Sequence, residues 1–237
     1  MKNFPIFFCL IFFLSTALLT SAQDVRVKCN NITMNAPSSN VKCYKTDDNI
    51  PVGEDASPDE LSKAQIANTS ILFSDFQYTK SEIDPQATFY LIEDMGRASF
   101  SFLDIATQLT GEVNMISSGS ADVVNVYTES PFMPYQSNES KFKAFPEFLS
   151  FDNGGGIRCV TSFQDTITSS GSSSNLYYSF QGITNDGRYY ISAVFPLLSS
   201  TLNGQNVSNI DRDRIDTGNF QPSLDQLDYF IQSIIIE

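Results

Sequence analysis

The chain has 237 residues, 14 basic against 27 acidic, with a formal net charge of −13, no histidine and no tryptophan. So acidic a chain repels nucleic acid and anionic membrane surfaces, which argues against both as partners. The missing histidine removes Ser-His-Asp and Cys-His catalysis, histidine acid–base chemistry and histidine metal sites.

The first 22 residues read as a secretory signal. Lys2 supplies the positive end, residues 6–19 are apolar, and Thr20-Ser21-Ala22 ends in small residues before Gln23. The apolar run is short for a membrane span, which needs about 20 residues, and no later segment qualifies. The expectation is a soluble, secreted chain starting at Gln23, with no membrane span. About 215 residues remain, enough for one substantial domain, and losing Lys2 takes the charge to −14.

Residues 23–65 are polar and read as an N-terminal arm with a small disulfide loop, leaving 66–237 as a single α+β domain. Cys9 leaves with the signal. Cys29 and Cys43 lie in two short alternating runs, and their pairing is the natural one in an exported protein. Cys159 is then left over, on the strand face shared by Ile157 and Phe163. With no histidine to activate it, it reads as a buried apolar side chain rather than a nucleophile.

Residues 47–59 read as a linker or a surface-hugging arm. From residue 70 a strand alternates Ile71 and Phe73, then Phe76 and Tyr78 after an irregularity at Ser74-Asp75. Residues 87–94 suit a short strand or a helical turn, 98–103 a strand running into a polar stretch broken by Gly111, and 121–127 another strand. Residues 131–146 are expected as a loop and 147–151 as the start of a strand. Asn153-Gly154-Gly155-Gly156 is expected as a turn returning into the Cys159 strand, and 168–175 as a surface loop.

The most legible stretch is 176–197, where two aromatic and β-branched runs flank Asn185-Asp186-Gly187, a hairpin signal. A two-residue loop at Asp186-Gly187 pairs Phe180 with Ala193, Tyr178 with Phe195 and Leu176 with Leu197, an apolar face. Gln181 with Ser192 and Ser179 with Val194 form a mixed face. A three-residue loop spoils the separation, whereas a four-residue loop keeps the parity. Cys159, Phe180, Ala193 and Phe195 are expected to be buried together. Residues 199–219 are polar and irregular. Ser223 and Gln226 then have capping-box spacing, and Leu224, Leu227, Ile231 and Ile234 recur as a helical stripe expected to cover the hairpin's apolar face. Ile234-Ile235-Ile236 suits a last strand or a frayed end, and no internal repeat is visible.

Phe151, Asn153-Gly154, Gly156, Arg158, the Leu176-x-Tyr178-x-Phe180-Gln181-Gly182-Ile183-Thr184 run and Asp186-Gly187-Arg188-Tyr189-Tyr190-Ile191 resemble a group of uncharacterised exported bacterial proteins. Those proteins also end in a helix like residues 224–233. The likeness covers about a quarter of the chain and implies no activity. This chain departs from the group in lacking a lipid-anchor cysteine and in its polar 199–219 stretch. A late Asp-Gly-Arg-Tyr hairpin with a closing helix is also similar to PsbP-like α/β/α domains, which implies a fold and no chemistry.

Candidate chemistry is sparse. Asp216-Thr217-Gly218 matches half of the aspartic-protease pair, with no second copy to share a proton. Asp211, Asp213 and Asp216 offer oxygens to Ca²⁺, but the EF-hand glycine and glutamate are missing, so a solvated loop is the simpler reading. The triple glycine lacks the lysine and helix of a phosphate loop. Tyr177, Tyr189 and Tyr190 are the candidate ligand surface. Asn31, Asn68, Asn138 and Asn206 begin possible N-glycosylation sequons, relevant only if the source glycosylates asparagine. No cofactor, metal site or catalytic residue is assigned. The reading is an α+β domain, mainly antiparallel, with a C-terminal amphipathic helix packed on the sheet. Its role is expected to be non-enzymatic binding or accessory work with an extracellular protein or matrix component. A carboxylate-dependent hydrolase is the alternative.

Overall fold

The computed structural model describes residues 25–36, 40–53, 56–61, 63–74, 81, 83–127, 132–133, 140–170 and 173–237. The signal segment, the start at Gln23, Phe76, Tyr78 and the Asn138 sequon lie outside the described residues.

Strands Val25–Cys29 (β1) and Ile32–Ala36 (β2) are followed by Val41–Thr46 (β3), the helical turn Pro58–Leu61 (α1), Asn68–Phe73 (β4) and Gln86–Leu91 (β5). Helices Ile92–Ala98 (α2), Phe100–Ser117 (α3) and Val123–Val126 (α4) precede strands Phe142–Phe151 (β6) and Gly154–Ser162 (β7). The short strands Ser169–Ser170 (β8) and Ser173–Ser174 (β9) lead into Tyr177–Thr184 (β10), Tyr189–Pro196 (β11) and Leu198–Ser199 (β12). Phe220–Gln221 (β13), helix Leu224–Gln232 (α5) and Ile235–Ile236 (β14) follow. Seven strands form one sheet in the order β3-β4-β5-β11-β10-β7-β6, and β1-β2-β14 form another. The described pairings between strands are antiparallel. The chain is therefore α+β, mainly antiparallel, with a C-terminal helix on the sheet.

The central hairpin has the expected register: Phe180 pairs with Ala193, Tyr178 with Phe195, Gln181 with Ser192 and Ser179 with Val194. Its loop is the four-residue form, spanning residues 185–188. Gly187 N–H donates to the Thr184 carbonyl at 2.9 Å, and Gly187 takes the left-handed conformation at φ 67° that a residue without Cβ adopts freely. β10 and β11 occupy the middle of the sheet, and their side chains are buried on both faces apart from the half-buried Tyr189. Helix α5 and the second sheet pack one face in a cluster with Phe180, Ala193, Phe195, Leu227 and Ile231; α2 and α3 pack the other with Ile157, Ile183 and Tyr190.

Cys159 does not join Phe180, Ala193 and Phe195. It pairs with Ser179, and paired residues share a face, so its thiol is buried on the α3 side. Residues 25–46 are not a separate arm either. β3 pairs along its length with β4, β2 lies in the main core, and the Cys29–Cys43 disulfide, with Cα atoms 5.8 Å apart, joins the two sheets. Residues 50–52 run along the domain, with Ile50 N–H on Gln65 O and Val52 N–H on Ala98 O.

Three expected strands or turns become something else. Residues 98–103 hold the end of α2, the break at Ser99 and the start of α3, because Ser99 caps Ser101 N–H and Phe102, Ala106, Leu109 and Val113 form a buried helical stripe; Phe100, part of the apparent alternation, is left exposed. Asp122 caps α4 where a strand was expected over 121–127. Residues 87–94 are both alternatives in series, β5 turning directly into α2. The turn before β7 is Asp152-Asn153, and the three glycines lie within β7 itself. The rings of Phe151 and Phe180 cross Gly154 and Gly156, where a Cβ would come within 2.2 Å of Phe151 and 2.7 Å of Phe180.

Against the expectation of no internal repeat, residues 206–220 hold one, reading NVSNI, DRDRI and DTGNF. Asn206, Asp211 and Asp216, five residues apart, each cap a single 3-10 turn. Each turn ends in an extended apolar residue, Ile210, Ile215 or Phe220, packed on the main core. The side-chain oxygen fixes the turn and the apolar residue anchors it, so three short units make a ladder.

Candidate functional site

Strand β6 is an outer strand of the large sheet, and its pairing with β7 slips between Ala144 and Glu147. Residues 142–146, expected as loop, are thus a strand interrupted by a bulge. Phe145 takes φ 54° there, a left-handed conformation uncommon for a residue with Cβ. Pro146 follows, in an edge-strand bulge where its missing N–H is tolerated.

Arg158 of β7 lies behind the bulge, 4% exposed. Its Nη1 donates to the Phe145 carbonyl at 2.6 Å, which holds the strained residue in place. Nε and Nη2 donate to Asp228 Oδ1 and Oδ2 at 3.2 and 3.1 Å, a two-point grip on α5, and Nη2 also bonds Glu147. Tyr178 O–H donates to Asp228 Oδ1 at 2.8 Å. Burial pushes the Asp228 carboxyl above its ordinary range, with Arg158 and Tyr178 pulling it back. Burial and the adjacent carboxylate push the Tyr178 hydroxyl well up. The cluster is a closed clamp joining bulge, sheet and helix.

In front of the clamp runs a cleft. It measures about 890 Å³ beside Tyr127, Lys141, Phe145, Ile210 and Arg212, and about 350 Å³ where it reaches Glu147, Arg158 and the start of α5. Phe145 and Pro146 line both parts, so the bulge is their shared floor, and the 206–220 ladder is one wall. Arg212 lies over the Phe142 ring at 5.7 Å, and Asp211 pairs with Arg214 at 3.1 Å. The walls therefore mix apolar surface with charges of both signs.

The sequence candidates fall elsewhere. Tyr177, Tyr189 and Tyr190 do not make one surface. Tyr177 and Tyr190 are buried on the α3 side, Tyr190 donating to Gln181 Oε1 at 2.7 Å, while Tyr189 is half-exposed on the other face. The reason is their place in central strands covered on both sides. Asp216 of the Asp-Thr-Gly triplet accepts from Gly218 N–H at 2.9 Å and works as a cap, as Asp211 does for Asp213 N–H at 3.3 Å. Cys159 Sγ lies 3.1 Å from Ser179 Oγ, and burial raises its thiol pKa. Of the sequons, Asn31 Nδ2 donates to Tyr189 Oη and to Glu237 O at 3.1 and 3.0 Å, and Asn68 Nδ2 to Ile66 O at 2.8 Å. Asn206 is exposed and caps Ser208 N–H at 3.0 Å.

Sequence reasoning passed over Glu147, Tyr178 and Asp228. Asp228 carried a signal: it falls four residues after Leu224 and three before Ile231, within the buried stripe of α5. A carboxylate there needs a buried cation, and Arg158 is the arginine inside an apolar strand.

Among the described residues no helix is long and apolar enough to cross a membrane. Fold and cleft together define an α+β domain with a bulged edge strand lining an open groove. No protein-family model, curated protein or solved structure matches the chain.

Proposed function

We propose that this is an exported, non-enzymatic binding or accessory domain that meets an extracellular protein or matrix component through the β6 cleft. The observation that supports this reading most is the division of labour at the bulge. Arg158 and Asp228 are bonded to each other and to Phe145 and Tyr178, while the groove in front of them stays open. Groups bound into a clamp hold a surface; they are not poised to exchange protons with a substrate. The resemblance to exported bacterial proteins agrees with this reading. Helices α2 and α3 on one face and α5 on the other also agree with the fold-level likeness to PsbP-like α/β/α sandwiches.

The second reading, a carboxylate-dependent hydrolase, draws on Glu147, half-exposed at the cleft, beside Asp228 with its raised carboxyl. One pair of experiments separates the two. Wild type and Glu147→Gln are assayed on a panel of ester, glycoside and phosphate substrates. Purified matrix polymers are then titrated against wild type and Ile210→Asp, which places a charge in the groove. Binding lost in Ile210→Asp, with no turnover that depends on Glu147, is the expected result. Turnover abolished by Glu147→Gln would replace the binding reading with the hydrolase.

A further inference from the structure

A second cavity, of about 220 Å³, opens at the end of the gap between the two sheets. On one side is the β1–β2 turn, Asn30-Asn31, with Asn30 at φ 56°; on the other are the ends of β3, β4, β5 and β11. The disulfide anchors the site from both directions, since Cys29 adjoins Asn30 and Cys43 stands two residues before Lys45 on the same strand face. Asn31 closes the other side through its bonds to Tyr189 and to the Glu237 carbonyl. The walls are therefore fixed before any ligand arrives.

The charges at this cavity are already matched in pairs. Lys45 bonds Asp47, and Asp94 bonds Arg97 at 3.0 Å. What remains is neutral hydrogen-bonding capacity. The Oδ1 atoms of Asn30 and Asn31 and the hydroxyl of Thr46 have no hydrogen-bond partner among the described residues. Tyr189 and Thr69 only accept, from Asn31 and Asn30, so each has an O–H left to donate. Phe89, Leu91 and Ala67 add apolar surface.

That inventory selects a ligand class. An anion is opposed by Asp47 and Asp94 and by the acidic chain. An apolar ligand would strand the free amide and hydroxyl groups, each at a real desolvation cost. A neutral polyol with an apolar C–H face satisfies both kinds of wall. The volume lies below the roughly 300–1,000 Å³ of sites for drug-sized ligands, which suits a single ring. We infer that this cavity binds one neutral sugar residue, either free or at the end of a glycan.

The site shares no residue with the β6 cleft, so the two readings fail separately. Glucose, galactose, mannose and N-acetylglucosamine, each as free sugar and methyl glycoside, are titrated into the intact disulfide-bonded protein. Saturation-transfer NMR and calorimetry are the readouts. At least one sugar is expected to saturate in the millimolar range. Tyr189→Phe, which removes one donor, and Thr46→Val, at the rim, should each weaken it by roughly tenfold, about 1.4 kcal/mol. Circular dichroism and thermal melts establish that each variant is folded, and Thr46→Val carries the test if Tyr189→Phe is not. Binding of the methyl glycoside as well as the free sugar assigns the site to glycan ends; binding of the free sugar alone assigns it to monosaccharides. No saturation by any of the four, or affinity unchanged in the folded variants, overturns the inference.

Discussion

The same seven strands build two unlike faces. Toward α5, Phe73, Phe89, Phe180 and Phe195 meet Leu227 and Ile231 in one apolar cluster, and the Arg158–Asp228–Tyr178 clamp lies on the same face. Toward α2 and α3, a polar row crosses four neighbouring strands, Ser70 beside Thr88, Thr88 beside Ser192, and Ser192 beside Gln181. The row separates the apolar cluster under α2 and α3 from a smaller one around Tyr177 and Val194. Gln181 makes it a strap. Its Oε1 accepts from Met133 N–H at 3.0 Å, and its Nε2 donates to Met133 O at 3.2 Å, so one side chain grips an incoming backbone as a strand would. A sheet face can thus be buried under polar residues when a backbone arrives to satisfy them. On the apolar face a polar group persists as a closed ionic network.

The contrast is open to test at each point. Arg158→Met leaves the Asp228 charge buried without its cation and should cost about 3–5 kcal/mol in urea denaturation. Replacing both partners, Arg158→Met with Asp228→Leu, should recover most of that loss; no recovery would mean that the clamp is more than a charge pair. Leu227→Ala on the apolar face should cost about 2–5 kcal/mol. A loss below about 0.5 kcal/mol would mean that α5 contributes little to that cluster.

On the polar face the expected effects are smaller. Gln181→Ala should cost about 1–3 kcal/mol and speed hydrogen exchange at Met133 N–H; unchanged exchange would remove the strap. The clamp also has a pH signature. Burial holds the Asp228 carboxyl above its ordinary 3.8, so between 3.8 and that raised value the folded chain keeps a proton that the unfolded chain has released. The stability from that linkage is whole below 3.8 and is lost as pH rises through the raised value. Thermal melts of wild type should therefore lose ground, with rising pH, to Asp228→Asn, which lacks this titration. Parallel curves would count against the shift. The smallest effect is at Cys159, where burial raises the thiol pKa and native iodoacetamide labelling should be slow near pH 7. Rapid labelling would reopen the nucleophile reading.

Some of this was legible and some was not, for identifiable reasons. Alternation in 98–103 suggested a strand, yet the helical stripe of Phe102, Ala106, Leu109 and Val113 extends beyond that window, and the longer pattern buries more apolar surface. The triple glycine suggested a turn because ring packing from Phe151 and Phe180 is invisible in a linear reading. The tyrosines looked like a surface because strand alternation does not reveal whether a strand is central or at an edge. At the cleft, no spacing rule announces that a bulge at Phe145 will be held by Arg158.

The amino-acid sequence by itself determined the register of the β10–β11 hairpin, the capped helix at Ser223 and the pairing of Cys29 with Cys43. The first two follow from period-two parity and from a side chain reaching its own backbone three residues on, both local properties. The third follows from there being two cysteines in neighbouring strand-like runs. The tertiary structure alone decided that Arg158 meets Asp228 seventy residues later, and which face of the sheet carries Cys159. It also decided that a strained edge strand borders an open cleft. Those outcomes depend on the order of strands in the sheet, and that order is settled by the burial of both faces together, a sum over contacts that no short segment contains.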